Sequence, residues 1–119
     1  MGVKQRVALV TGATSGIGAC IARRFGECGA RVAVAGRNRE RGMEVVETIQ
    51  RSGGQAMFVA HEQEDEQAPT QIITAVEETL GPVEILVHSA GWSIFESTTD
   101  ATPALFDIIF QRNVREPIF

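Results

Sequence analysis

The most constraining feature of this chain is the stretch Thr11-Gly12-Ala13-Thr14-Ser15-Gly16-Ile17-Gly18, which follows directly on a short apolar run, residues 6–11 (RVALVT). The run reads as a buried strand and the residues after it as a helix, so the stretch is a strand-to-helix turn holding three glycines. Gly12 permits a tight exit from the strand, Gly16 lets a ligand approach the backbone, and Gly18 lets the helix lie close to the sheet. The first amides of a helix aim N–H groups and a partial positive charge at such a turn, which suits a pyrophosphate. A chance T-G-x-x-x-G-x-G is expected only about 0.01 times in a chain of this glycine and threonine content. The generic G-x-G-x-x-G form is not met, because Ile21 stands three residues after Gly18.

The rest of the chain alternates between strand and helix periods. Ile17, Cys20, Ile21, Phe25 and Cys28 repeat at helical spacing until Gly29 stops them. Residues 31–36 (RVAVAG) form the second predicted strand. Asn38 then caps a helix with Met43, Val46 and Ile49 on one face, which ends at Gly53-Gly54. Residues 55–60 (QAMFVA) are the third strand, followed by an acidic turn, a helix carrying Ile72, Ile73, Val76 and Leu80, and a stop at Gly81-Pro82. Residues 83–88 (VEILVH) are the fourth strand, and a last helix is expected over 103–114, before Glu116-Pro117. This βαβαβαβα order predicts an α/β fold with a parallel sheet covered on both faces and a ligand at the carboxyl ends of its strands.

Composition narrows the function classes. At 119 residues, 44% apolar and 22% charged, the chain is expected to form one globular domain that folds without disulfides or a metal. Cys20 and Cys28 are eight residues apart on one predicted helix, about 12 Å along its axis, too far for a disulfide; both are expected to be small buried residues. The net charge of −4 argues against nucleic acid as a partner. No apolar run reaches the ~18 residues of a membrane span, and the cytoplasm is the expected compartment. The chain has no tyrosine, and Lys4 is its one lysine, so chemistry that needs a tyrosine acid or an internal lysine is excluded for these residues.

The glycine turn resembles the cofactor fingerprint of the short-chain dehydrogenase/reductase family, in particular its ketoreductase-like members. The resemblance continues through residues 81–91 (GPVEILVHSAG), similar to the family's fourth strand and N-N-A-G motif, and to Asn113, where the family has the asparagine of its catalytic tetrad. It implies a doubly wound Rossmann fold that moves hydride between a nicotinamide cofactor and a carbonyl or alcohol. It also implies cofactor contacts at Gly12, Thr14, Ser15, Gly16, Ile17, Gly18, Ser89, Ala90 and Gly91, with Glu62 in place of the family's adenine-contacting Asp. His88 and Ser89 replace the first two asparagines of N-N-A-G. The family's serine and Y-x-x-x-K pair lie beyond its asparagine. Residues 1–119 are therefore expected to be an incomplete, cofactor-holding domain of about four strands, inactive by itself.

The cofactor expected is NADP rather than NAD. Arg37 follows the second strand, where NAD sites carry an acid for the ribose hydroxyl, and its guanidinium suits a 2′-phosphate. Asn38 adds a neutral donor, and Thr14 or Ser15 reaches the same phosphate from the turn. Three arginines, Arg37, Arg39 and Arg41, at a helix start cost about 0.3–1 kcal/mol each unless an anion faces them. His88 is expected to be hydrogen-bonded in a structural role, the acidic stretch 62–66 to be a solvated turn, and Trp92 either to line a substrate site or to anchor its loop. His61 and His88 show no metal-ligand spacing. A carbonyl or alcohol substrate and further copies of the chain are the expected partners. The alternative is a non-catalytic dinucleotide-binding or oligomerisation module; a methyltransferase is disfavoured, because its ribose site needs an acid where Arg37 stands.

Overall fold

A computed structural model describes residues 2–60, 68–89 and 103–104. Its elements are β1 (Val7–Thr11), α1 (Gly16–Glu27), β2 (Arg31–Gly36), α2 (Arg39–Arg51), β3 (Gln55–Ala60), α3 (Ala68–Thr79) and β4 (Ile85–His88). The four strands form one parallel sheet in the order β3-β2-β1-β4. β1 and β2 are apolar on both sides because both sides are covered, as parallel sheets require. On one face Val10, Val32 and Val34 pack with Ala19 and Ala22 of α1 and Val45, Val46 and Ile49 of α2. On the other, Val7, Leu9, Ala33, Ala35 and Val59 pack with Ile72 and Val76 of α3.

The chain therefore builds outward from β1 through β2 to β3, and then returns by way of α3 to place β4 on the other side of β1. The reversal opens a crevice above the carboxyl ends of β1 and β4, where ligands bind in sheets of this kind. β4 is the sheet's edge among the described strands, and Leu86 on it is 55% exposed.

Two strands are shorter than their sequences suggest. β1 starts at Val7 rather than Arg6, and β4 at Ile85 rather than Val83. Arg6 and Glu84 face each other as an exposed ion pair at 3.8 Å, below the ladder proper. The expected stripe on α1 is also displaced. The residues that it buries are Gly18, Ala19, Ala22 and Gly26, while Ile21 and Phe25 flank them. Ile17, Cys20 and Cys28 are exposed, contrary to the expectation that the cysteines are buried. The physical reason is proximity: a helix held against a sheet at a glycine presents its small residues inward, and Cys28 lies past the last turn as the C-cap residue. The helix expected over 103–114 lies outside the described residues except at 103–104, which are helical.

The amino ends of the strands form the opposite pole. There Arg31 donates to the Gln5 carbonyl from Nε (3.1 Å) and Nη2 (2.9 Å), and to the Leu80 carbonyl from Nη1 (2.7 Å). Lys4 sits at the same pole: a Cβ on Gly29 would lie 3.2 Å from its Cγ, so the single lysine is remote from the crevice.

Candidate functional site

The crevice is walled by the turn between β1 and α1. Gly12 turns the chain with φ 61°, and Ala13 then donates to the Ala35 carbonyl at 3.0 Å, pinning the turn to β2. Thr14 lies against the Cα of Gly36, the last residue of β2. Gly18 brings α1 into backbone contact with the turn: a Cβ there would lie 2.9 Å from Ser89 Oγ and closer still to the Gly12 carbonyl. Gly16 has open space on its Cβ side, and Ile17 projects outward, 76% exposed.

The start of α1 leaves donors that the helix itself does not use. Its first internal bond runs from Ala19 N to Ser15 O at 3.3 Å. The amides of Gly16, Ile17 and Gly18 precede it and have no intrahelical acceptor. Ser15, at the N-cap in extended geometry, makes no side-chain cap bond, and the first turn contains no acid. An anion placed there meets three N–H groups and the positive end of the helix dipole.

Two further elements close on this row. Ser89, just past β4, donates its N–H to Thr11 Oγ1 at 3.2 Å, which holds it beside Gly18. His88 places Nδ1 3.0 Å from the same hydroxyl, so the hydrogen-bonded role expected of it is found. Partial burial lowers the His88 pKa from its ordinary 6.5. At the end of β2, exposed Arg37 leads into α2, whose N-cap Asn38 accepts the Arg41 N–H on Oδ1 at 3.0 Å. The Asn38 side-chain oxygen is thus committed to the helix. Arg39 stacks over the Phe58 ring, 5.9 Å from its centre, and Arg37 follows Gly36 directly in the chain.

The structure thus brings Gly12, Thr14, Ser15, Gly16, Ile17, Gly18 and Ser89 to one crevice, with Arg37 and Asn38 at its β2 side. Glu62, Ala90, Gly91, Trp92 and Asn113 lie outside the described residues. Thr11 and Gly36 are the residues that sequence reading passes over. Thr11 reads as the last residue of a strand, and Gly36 as a strand end. Only the pairing of Thr11 with His88 across β1 and β4 shows the hydroxyl as a hub. Among the described residues no group of three or more His, Cys, Asp or Glu is placed to hold a metal, and no helix is long and apolar enough to cross a membrane.

The same frame occurs in known proteins. The chain is 39% identical over 102 residues to the NADP-dependent (R)-specific alcohol dehydrogenase of Lentilactobacillus kefiri, a match covering 84% of this chain and 39% of that protein. It superposes on a dehydrogenase/reductase from Sinorhizobium meliloti with TM-score 0.92 and 38% identity, covering 98% of this chain and 46% of the other. A 3-oxoacyl (acyl-carrier-protein) reductase from Agrobacterium tumefaciens, solved with NADP bound, matches with TM-score 0.87 at 32% identity, covering 98% and 45%. The chain spans less than half the length of each of these relatives. The family model for short chain dehydrogenases matches residues 6–119, and this chain belongs to the short-chain dehydrogenase family.

Proposed function

We propose that these residues are the dinucleotide-binding part of an NADP(H)-dependent oxidoreductase that interconverts a carbonyl and a secondary alcohol. The observation that carries the reading is the start of α1, where Gly16, Ile17 and Gly18 precede the first intrahelical bond, Ser15 makes no side-chain cap, and the Cβ side of Gly16 is open. A pyrophosphate fits that row. Gly12, Thr14, Ser15, Gly16, Ile17 and Gly18 would cradle it, with Ile17 supplying an apolar contact. Ser89, Ala90 and Gly91 would line the nucleoside side, Glu62 the adenine, and Asn113 would hold an ordered water on a proton path. When bound, the nicotinamide supplies the hydride acceptor or donor. The residues of this chain bind and orient it; with no tyrosine among them, the proton donor to the substrate oxygen lies elsewhere in the enzyme, and the 119 residues alone do not turn over.

NADP is the cofactor that Arg37 favours, and support comes from the relatives named above as NADP-dependent or solved with NADP. In this reading Arg37 pairs with the 2′-phosphate. Calorimetric titration tests it: NADP should bind more tightly than NAD, and Arg37→Asp should weaken NADP by about ten- to a hundredfold, the size of a charge-assisted hydrogen-bonded pair. Equal binding of the two dinucleotides, or none, overturns the assignment. A second reading, a non-catalytic binding or self-associating module, is favoured by one feature, the exposed Leu86 on β4, which is an edge among the described strands.

A further inference from the structure

We propose that Phe58 and Arg39 are a positioning pair for the 2′-phosphate end of the dinucleotide site: the Phe58 ring fastens the first turn of α2 to β3 through Arg39 and Gly42, and so fixes the backbone that carries Arg37. The inference rests on the dinucleotide reading above and deepens it.

Phe58 lies opposite Val34 in the ladder of β2 and β3, on the face that α2 covers. Two residues of α2 grip its ring. The Arg39 guanidinium lies over it, 5.9 Å from its centre and within the range of a cation–π contact, and a Cβ on Gly42 would meet its Cδ1 and Cε1. Arg39 and Gly42 are three residues apart and so share one side of the helix. The next residues that α2 buries are Val45, Val46 and Ile49, more than a turn beyond Arg39. The Asn38 cap does not replace this fastening, because its bonds, from the Arg41 N–H to Oδ1 and from the Gly42 N–H to its carbonyl, are internal to the helix. Among these contacts, only the Phe58 ring ties the first turn of α2 to the sheet.

The consequence falls on Arg37. Gly36 is held in the ladder against Ala60 and Arg39 is held on the ring, so Arg37 and Asn38 form a two-residue link anchored at both ends. A link fixed at both ends loses little further freedom when a ligand engages it, and binding is stronger for that reason. The ring also accounts for one of the three arginines at this helix start, since it gives the Arg39 cation a partner other than the ligand. NADP and NAD differ only in the 2′-phosphate. The ratio of their affinities therefore reads this end of the site, and changes at the pyrophosphate end or in the stability of the fold cancel from it.

The test is calorimetric titration of the full chain and its variants with NADP and with NAD. Phe58→Leu keeps apolar bulk on β3 and removes the ring, and the preference for NADP should fall by about two- to fivefold, the size of one exposed cation–π contact. Phe58→Tyr, which keeps the ring, should hold the preference. Because Phe58→Leu leaves every charge in place, its fall cannot come from lost attraction for the extra phosphate. If Phe58→Leu does not fold, Arg39→Gln on the surface carries the test against Arg41→Gln, which removes the same charge two residues further on, and Arg39→Gln should lower the preference more. A preference unchanged in Phe58→Leu, a preference raised there because the released Arg39 reaches the phosphate itself, or equal falls in Arg39→Gln and Arg41→Gln overturn the proposal while the dinucleotide reading stands. An unaltered chain that binds neither dinucleotide, or both equally, overturns the reading of the site, and the role of the pair with it.

Discussion

α1 and α2 start at the same pole of the sheet, each a short turn after a parallel strand, yet their first turns are finished differently. α2 is complete in itself: Asn38 caps it through Oδ1, and Glu40 sits in its first turn. α1 has neither feature; Ser15 leaves the amides without a side-chain acceptor, and no acid follows. A helix start that ordinary capping residues would satisfy at a gain of about 1 kcal/mol has been left for something else to satisfy. The difference teaches that an uncapped start can mark a site more sharply than the glycines beside it, because α2 has a glycine in its first turns too, at Gly42.

The largest effect is expected from those two glycines. A Cβ on Gly18 meets the Gly12 carbonyl, backbone that has no rotamer to escape into, whereas a Cβ on Gly42 meets the ring of Phe58. Gly18→Ala should therefore cost about 2–3 kcal/mol in urea unfolding and abolish dinucleotide binding. Gly42→Ala should cost less, because the ring can shift and alanine returns up to ~1 kcal/mol of helix propensity. Equal losses from the two changes would break the comparison.

A middle-sized effect should follow from giving α1 the ending that α2 already has. Ser15→Asp supplies a carboxylate to the first-turn amides, so thermal unfolding should shift upward by about 0.5–1 kcal/mol of stability. The same carboxylate competes with and repels a pyrophosphate, and NADP affinity should fall by about tenfold or more. Stability and affinity moving in the same direction would show that the uncapped start is not a ligand site. The smallest effect belongs to α2: Asn38→Ala should cost about 1 kcal/mol in chemical denaturation by removing its internal cap. A neutral result would mean that the Arg41 amide finds water as readily, and the contrast between the two helices would shrink accordingly.

Much of this site is legible in the linear chain because its parts are local. The glycine turn, the strand before it and the N-cap Asn38 each span a few residues, and their chemistry follows from backbone sterics and hydrogen-bond supply within that span. The face of α1 is misread from the same chain, because periodicity rewards large apolar residues such as Ile17. Close packing at Gly18 selects instead the small ones, Ala19, Ala22 and Gly26. Ile17 then becomes an outward apolar group at the crevice, and the cysteines become surface residues.

The sequence by itself determined the alternation of strands and helices, the glycine turn after the first strand and the cationic end of β2, since each depends on neighbours along the chain. Only the tertiary structure decided that β4 lies beside β1 rather than beyond β3, and it thereby decided the hub at Thr11. Thr11 and His88 are 77 residues apart, and their meeting depends on the direction in which α3 returns across the sheet. That direction is settled by which apolar faces find cover, a property of the whole fold that no local spacing encodes.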